Sequence, residues 1–101
     1  TDCIRHTPLR ERAVSRVAIC GGACMCRRND AIKAGADVFI TGDFKYHQFF
    51  DAEGKIVIAD IGHYESEQFT VEIWESILRE KFPTFAILLA KGNTNPVKYY
   101  Y

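Results

Sequence analysis

Two polar side chains, His63 and Glu67, stand four residues apart at the start of a segment with helical periodicity. On a helix of about 100° per residue they lie about 40° apart, so they share one side of the helix. That side is otherwise largely apolar and is also occupied by Thr70, Ile73, Trp74, Ile77 and Leu78. A carboxylate that faces a protein core is costly unless it is paired or bound to a metal ion. The pair is therefore a candidate set of metal ligands.

The start of a helix suits such a pair of ligands. The positive end of the helix dipole favours the carboxylate of Glu67 and disfavours the imidazolium form of His63. A neutral imidazole is the form that binds metal. The spacing H-x3-E is also typical of a structural contact between histidine and glutamate or of a helix cap, and the spacing alone favours that alternative. Both interpretations stay open on these residues.

A second polar group follows another apolar segment in the same way. The strand-like run at residues 37–41 ends in Thr41, a glycine and Asp43, and His47 follows Asp43 after one helical turn. In α/β folds, sites form outside the carboxyl ends of the strands. We therefore expect Thr41, Asp43 and His47 to lie near His63 as catalytic or cavity-lining residues. The alternatives are that Asp43 caps a helix and that His47 packs among aromatic side chains.

An alternation of strand-like and helix-like segments must position these residues. Apolar and β-branched runs predict strands at residues 14–20, 37–41, 55–61, 84–89 and 97–101. Helical patterns bounded by glycine or proline predict helices at residues 25–34, 44–52 and 63–81. Strands separated by helices imply right-handed crossovers and parallel pairing. We expect one α/β domain over residues 1–101, with a mostly parallel sheet of four to five strands flanked by three helices.

The composition is that of a globular protein, with 48% hydrophobic residues and a formal net charge of zero. No apolar run approaches the length of about 20 residues that a membrane-spanning helix needs, and the polar opening is unlike a signal peptide. Residues 1–30 hold six Arg against three acidic residues, which is too weak an excess to indicate a nucleic-acid surface. We therefore expect a cytoplasmic protein with neither membrane nor nucleic acid as a partner. Because residue 1 is Thr, the chain is interpreted as a processed, truncated or partly sequenced product.

Three of the four cysteines, Cys20, Cys24 and Cys26, are close together. Their spacing, C-x3-C-x-C, matches none of the common zinc patterns. Cys20 ends an apolar run, which predicts a buried side chain that packs as a small hydrophobe. In the cytoplasm thiols are kept reduced, so we expect no disulfide.

Four segments together resemble a known family. They are VAICGGA (17–23), AIKAGADVFITGDFKYHQFFDAEG (31–54), ADIGHYESEQF (59–69) and NTNPVKYY (93–100). They are similar to the C-terminal part of the Nif-three-like dinuclear metal-centre hexamer family, some members of which carry the label GTP cyclohydrolase I type 2. The most specific elements are ITGDxxxH and IGHxxxE, which occur in that order at strand ends.

The resemblance implies a dinuclear metal centre built from both ends of a longer chain. His63 and Glu67 match the two ligands of the family's G-H-x-x-x-E segment. Asp43 and His47 match a G-D-x-x-x-H segment that would line the cavity. The remaining ligands of the family, two adjacent His and an Asp, have no counterpart among these 101 residues. The chain would thus hold half of a site that binds two divalent ions (zinc, iron or manganese) when complete.

Activity and assembly are implied by the same resemblance. The first hypothesis is a metal-dependent hydrolase that acts on nucleotide or phosphoester substrates, in a protein that self-associates as a homohexamer. The alternative is a non-catalytic metal-binding structural or regulatory protein that works as an oligomeric ring. A third hypothesis is a metal-free sheet module that assembles with partners.

Two further expectations concern single segments. Trp74 lies in the middle of the apolar stripe of the predicted helix 63–81, which predicts a buried indole. The segment from Cys24 to Arg28 departs from the family, because it stands where relatives have a Gly-Ser-aliphatic stretch. That departure concerns the first predicted helix more than the candidate site.

Overall fold

The structure is a computed structural model that describes residues 1 and 3–100. The chain divides into two compact units, Thr1–Glu67 and Gln68–Tyr101. Within the described residues, no helix has the length and apolar character needed to cross a membrane.

The first unit is built on a four-stranded sheet. Its strands are β1 (Arg5–His6), β2 (Val17–Ala23), β3 (Val38–Gly42) and β4 (Val57–Asp60), in the spatial order β1-β4-β3-β2. The strands β2, β3 and β4 are parallel, whereas β1 pairs with β4 in the antiparallel sense. This confirms the predicted α/β class with a mostly parallel sheet.

Helical segments connect the parallel strands. A 3-10 turn (Met25–Arg27) and the helix α1 (Arg28–Lys33) join β2 to β3, and a 3-10 helix (Tyr46–Ala52) joins β3 to β4. Apolar residues of these connections pack on the sheet around Phe39 and Ile58, which are almost completely buried. The apolar strands predicted at residues 37–41 and 55–61 therefore lie in the core of this unit.

The carboxylate of Asp37 connects the start of β3 to the segment that precedes β2. It is buried and accepts hydrogen bonds from the backbone amides of Ser15 and Arg16, at 2.9 and 3.0 Å, and from the Ser15 hydroxyl at 3.0 Å. Arg12 completes the set with an ion pair. These hydrogen bonds, helped by the charge of Arg12, hold the pKa of Asp37 far below its usual range. The start of β3 is thereby tied to the segment that leads into β2.

The predicted helix at residues 63–81 is two helices, α2 (His63–Glu67) and α3 (Thr70–Lys81). The hydroxyl of Ser66 donates to the carbonyl of His63, at 2.8 Å, which competes with the regular helical bonding of that carbonyl. A separate helix, α3, begins after Phe69, whose carbonyl accepts from the amide of Ile73. One continuous helix was therefore the wrong prediction, although both of its halves are helical.

The expected burial of Trp74 is also wrong, because its side chain is 58% exposed. The helix α3, which carries Trp74, belongs to the second unit and has no buried residue. Helical periodicity decides which residues share a side of a helix, but it does not decide whether another element covers that side.

Neither of the last two predicted strands forms. Residues 84–89 and 97–100 have no strand structure, and Tyr101 lies outside the described residues. A run of β-forming residues becomes a strand only when a neighbour accepts and donates its backbone hydrogen bonds. Instead, the chain turns near Pro83, where the amide of Phe85 donates to the carbonyl of Phe82 at 3.1 Å. The short strand β1, conversely, was not predicted.

The network at Asp37 yields a prediction on the pH dependence of stability. We expect Asp37→Asn to lower the Tm by several degrees at neutral pH. Because the folded-state pKa is depressed, the stabilising contribution is present above the unfolded-state pKa of about 4 and is lost as the pH falls below it. The difference in Tm between the wild type and the variant should therefore shrink from pH 6 to pH 2 in thermal unfolding followed by circular dichroism.

Asp30→Asn is the matched control, since Asp30 is exposed and pairs with Arg27 on the surface. It should change the Tm little at any pH. Equal effects of the two substitutions would contradict the structural role assigned to Asp37.

Candidate metal centre

The carboxyl end of β4 leads directly into the candidate site. Asp60 ends this strand and is 2% exposed. Its Oδ1 accepts from the amide of Gly62 at 3.0 Å, and its Oδ2 accepts from the amide of Phe44 at 2.9 Å and pairs with Arg5. The carboxylate thus holds the turn before His63 beside the segment that follows β3.

His63 and Glu67 face each other at this edge of the sheet, as predicted. The Nε2 atom of His63 lies 3.1 Å from Oε2 of Glu67, and its Nδ1 atom lies 2.6 Å from Oδ2 of Asp43. The three side chains are about half exposed. They form a row of carboxylate, imidazole and carboxylate in which both ring nitrogens have an acidic partner.

The charge of this row acts on the imidazole. Hydrogen bonding to Asp43 raises the pKa of His63 above its usual value, and the charges of Asp43 and Glu67 add to that effect. Partial burial opposes the rise. The sequence suggested that the helix dipole would disfavour imidazolium here, whereas the two carboxylates favour it.

Of the three residues predicted to lie near His63, the structure brings Asp43 into direct contact. The prediction that the strands at residues 37–41 and 55–61 are neighbours is confirmed by the parallel pairing of β3 and β4. Asp43 has a positive φ of 58°, a left-handed conformation that Asp adopts more readily than most residues. This turn directs the side chain of Asp43 towards the start of α2.

Thr41 and His47 are placed differently from Asp43. Thr41 is fully buried, and its hydroxyl donates to the carbonyl of Gly22 at 3.1 Å, so it joins β3 to the end of β2. His47 is exposed in the 3-10 helix Tyr46–Ala52 and takes no part in the row formed by Asp43 and His63.

Gly22, which was not singled out from the sequence, borders both candidate ligands. A Cβ atom on Gly22 would lie 2.5 Å from Oε1 of Glu67 and 3.4 Å from Nε2 of His63. The residue also has a φ of 68°. The signal in the sequence was the pair of glycines directly after an apolar strand.

Gly42 makes room for the same helix on the neighbouring strand. A Cβ atom there would lie 2.9 Å from the carbonyl of Gly62 and from the amide nitrogen of His63. Ser66 then fastens α2 to the end of β2, because its Oγ accepts from the amide of Gly22 at 2.8 Å. The helix is therefore positioned by its close contacts with Gly22 and Gly42, which side chains at these two positions would block.

The cysteines depart from the sequence expectation. Cys20 and Cys24 form a disulfide, with their Cα atoms 5.9 Å apart, instead of remaining reduced thiols. The irregular end of β2, where the register with β3 shifts, brings the two residues together, which their spacing alone did not indicate. Both pack against the core, so the predicted apolar role of Cys20 holds in part. Cys3 and Cys26 are free and exposed.

A separate open cavity of about 400 Å3 lies beside β1 and the 3-10 helix of the first unit. It is lined by residues 5–8 together with Tyr46, Phe49 and Phe50. The predicted site residues are not among those that line it. Across the described part of the chain, no group of three or more His, Cys, Asp or Glu side chains is arranged to hold a metal ion by itself.

The fold and this edge define an α/β protein whose parallel strands present an imidazole between two carboxylates. A family model described as Duf34/NIF3 (NGG1p interacting factor 3) matches residues 1–96. The chain therefore belongs to the Duf34/NIF3 family, which confirms the resemblance noted in the sequence.

Relatives from several organisms carry the name GTP cyclohydrolase 1 type 2 homolog, and two of them illustrate the similarity. The one from Staphylococcus epidermidis is 35% identical over 103 residues, covering 95% of this chain and 27% of the relative. The one from Archaeoglobus fulgidus is 39% identical over 83 residues, covering 81% of this chain and 34% of the relative. The chain thus spans about a quarter to a third of the length of these relatives.

Two solved structures are similar in fold as well as in sequence. The Staphylococcus aureus protein SA1388 superposes with a TM-score of 0.87 and 31% identity, over 98% of this chain and 34% of its own. A Bacillus cereus protein related to NIF3 superposes with a TM-score of 0.76 and 27% identity, over 98% of this chain and 28% of its own.

The contact between Asp43 and His63 predicts that substitution of Asp43 changes the pKa of His63. We expect Asp43→Asn to lower the pKa of His63, as followed by NMR of its ring protons, because the amide keeps a hydrogen-bond acceptor but loses the charge. A raised pKa stabilises the fold below the unfolded-state value of about 6.5 and ceases to do so as the pH rises through the folded-state value. The destabilisation by Asp43→Asn should therefore be larger at pH 5 than at pH 9.

Asp51→Asn is the control, because Asp51 pairs with Arg28 outside this row. A pKa of His63 that stays the same in Asp43→Asn would contradict the contact described here.

The glycine at position 22 gives a second test. Gly22→Ala and Gly54→Ala both place a side chain at a positive φ, but only the first meets Glu67. Gly54→Ala should cost about 1–2 kcal/mol in the free energy of unfolding. Gly22→Ala should cost about 1 kcal/mol more, because Glu67 must move, and chemical denaturation measures both. Equal losses would show that the space at Gly22 does not matter.

Proposed function

We propose that this chain supplies His63 and Glu67 as ligands to a dinuclear divalent-metal centre, with Asp43 as the residue that positions His63. The observation that carries the proposal is the row in which one ring nitrogen of His63 contacts Asp43 and the other contacts Glu67. A histidine that binds metal almost always donates its other ring N–H to a carboxylate, a carbonyl or water.

The residues present fit such a group. When Nδ1 of His63 donates to Asp43, the lone pair of Nε2 is directed to the side of Glu67, so an imidazole nitrogen and a carboxylate oxygen converge. The surface beside them is backbone, since Gly22 leaves the space that a Cβ atom would fill. Neutral imidazole with carboxylate suits zinc, iron or manganese.

Two ligands make an incomplete site, and the described residues hold no complete cluster. The matched relatives are several times longer than this chain. We therefore propose that further ligands, two adjacent His and an Asp in the resembled family, come from sequence outside these 101 residues. The complete protein would bind two divalent ions and assemble as a homohexamer in the cytoplasm.

The proposed reaction is hydrolysis of a nucleotide or phosphoester substrate. Bound divalent ions would supply an activated water and positive charge for the departing oxygen. Asp43 keeps the ring of His63 in one tautomer and orientation. His47, which is exposed on the neighbouring 3-10 helix, is the proposed cavity-lining group that carries a proton.

A hydrolysis assay distinguishes this proposal from a non-catalytic metal-binding ring. Turnover of a panel of nucleotides and phosphodiesters by the longer protein, dependent on added metal and lost in His63→Ala, supports the hydrolase. Metal binding without turnover of any substrate supports the structural or regulatory alternative.

The proposal also predicts how the metal affinity changes with chain length. Calorimetric titration of the 101-residue chain with zinc should show weak binding, because two ligands leave a four-coordinate site half empty. In a longer protein that contains this chain, binding should be tight. There, His63→Ala and Glu67→Gln should each weaken it by roughly 100-fold or more, and Asp43→Asn by roughly 10–100-fold.

Glu53→Gln is the control, since Glu53 pairs with Lys55 on the surface and should leave the affinity unchanged. Tight stoichiometric binding by the 101-residue chain, if abolished by His63→Ala, would mean that this chain forms a complete site. Tight binding by the longer protein that survives His63→Ala would refute the assignment of the ligands.

A further inference from the structure

The disulfide between Cys20 and Cys24 closes a loop of five residues whose middle residue is Gly22. The loop coincides with an irregularity in the sheet, because the register between β2 and β3 shifts between Ile19 and Ala23. The covalent link therefore spans the part of β2 where regular strand pairing is lost. Gly22, at the centre of this loop, is also the residue that faces the candidate ligands.

Hydrogen bonds transmit the position of this loop to α2. The carbonyl of Gly22 accepts from the Thr41 hydroxyl and from the amide of Cys24, both at 3.1 Å. The amide of Gly22 donates to the hydroxyl oxygen of Ser66, which lies between His63 and Glu67 in α2. A change in the loop therefore reaches the row of Asp43, His63 and Glu67 through one residue.

We propose that Cys20 and Cys24 form a redox-active disulfide, reduced by dithiols and re-formed by small disulfides, whose state sets the position of Gly22 against Glu67. The control of metal affinity that would follow rests on the function proposed above. The redox pair and its effect on Gly22 do not depend on that function.

Each chemical step is an ordinary thiol–disulfide exchange. A thiolate of the dithiol bonds to the sulfur of Cys24, while the bond between the cysteines breaks and the Cys20 sulfur leaves as a thiolate that takes up a proton. The second thiol of the reductant then attacks the mixed disulfide and releases Cys24. The reductant departs as a disulfide, and the chain has gained two electrons and two protons.

The surroundings favour a reversible link. Neither cysteine is fully buried, and both lie in or next to β2, which is an edge strand, so their position favours access by a reductant. Closing a short loop restricts the unfolded chain much less than closing a long one, so the fold depends little on this link. The buried core around Phe39 and Ile58 is formed by other residues.

Thiol counting tests the redox pair. The denatured chain, isolated without reductant, should react with a maleimide at two cysteines, Cys3 and Cys26, and at all four after treatment with dithiothreitol. Glutathione disulfide should restore the count of two. Peptide mass mapping should assign the link to Cys20 and Cys24, also in Cys26→Ser and Cys3→Ser.

Amide hydrogen exchange followed by NMR tests the coupling without any metal. Reduction should speed the exchange of the Gly22 amide by about tenfold and shift the ring signals of His63, while signals of the core residue Ile58 stay unchanged. The double variant Cys20→Ser, Cys24→Ser should resemble the reduced chain and be insensitive to dithiothreitol. Cys26→Ser should respond like the wild type.

Three results would overturn the inference. They are four reactive thiols that glutathione disulfide leaves unpaired, a link that maps to Cys24 and Cys26, and an exchange rate of Gly22 that reduction leaves unchanged. Failure of the longer protein to bind metal would refute the function proposed above, while the thiol and exchange results would still decide the redox pair.

Discussion

The buried carboxylate of Asp60 organises the edge of the sheet on which the candidate site stands. Its two oxygens receive hydrogen bonds from the turn after β4, from the segment after β3 and from Arg5 of the edge strand β1. A buried carboxylate is tolerable only when such partners satisfy it, so these three segments must stay together. His63 follows Asp60 by three residues and Phe44 follows Asp43 directly. The same interaction therefore fixes both ends of the contact between Asp43 and His63.

The second constraint is the narrow space between α2 and the sheet, which two glycines leave free of side chains. At Gly42 the strand β3 approaches the start of α2 so closely that a Cβ atom would lie 2.9 Å from backbone atoms. At Gly22 a Cβ atom would lie 2.5 Å from Oε1 of Glu67. Because close packing leaves no room for adjustment at such points, the helix can approach the sheet only where side chains are missing. The site is thus defined as much by absent side chains as by the polar groups around it.

The matched members of the Duf34/NIF3 family are longer than this chain, so the candidate site corresponds to one part of a longer protein in those relatives. The chain spans 27% and 34% of two relatives, yet a solved relative superposes on 98% of it with a TM-score of 0.87. The first unit, Thr1–Glu67, carries its own core and its own carboxylate networks. It can therefore preset the orientation of His63 and Glu67, and the ligands that we propose to come from other sequence would meet an imidazole that is already positioned.

The three parallel strands, the helical segments between them and the shared side of His63 and Glu67 could all be predicted from the sequence alone. Apolar runs bounded by glycine and the helical period of 3.6 residues are local properties, and a single sequence carries them. It did not determine that Asp43 rather than His47 would reach His63, because that depends on a left-handed turn and on the packing of α2 against two strands. Nor did it show that residues 84–89 would stay irregular. Strand pairing, helix coverage and disulfide formation each require a second segment at the right place, and only the tertiary structure supplies that neighbour.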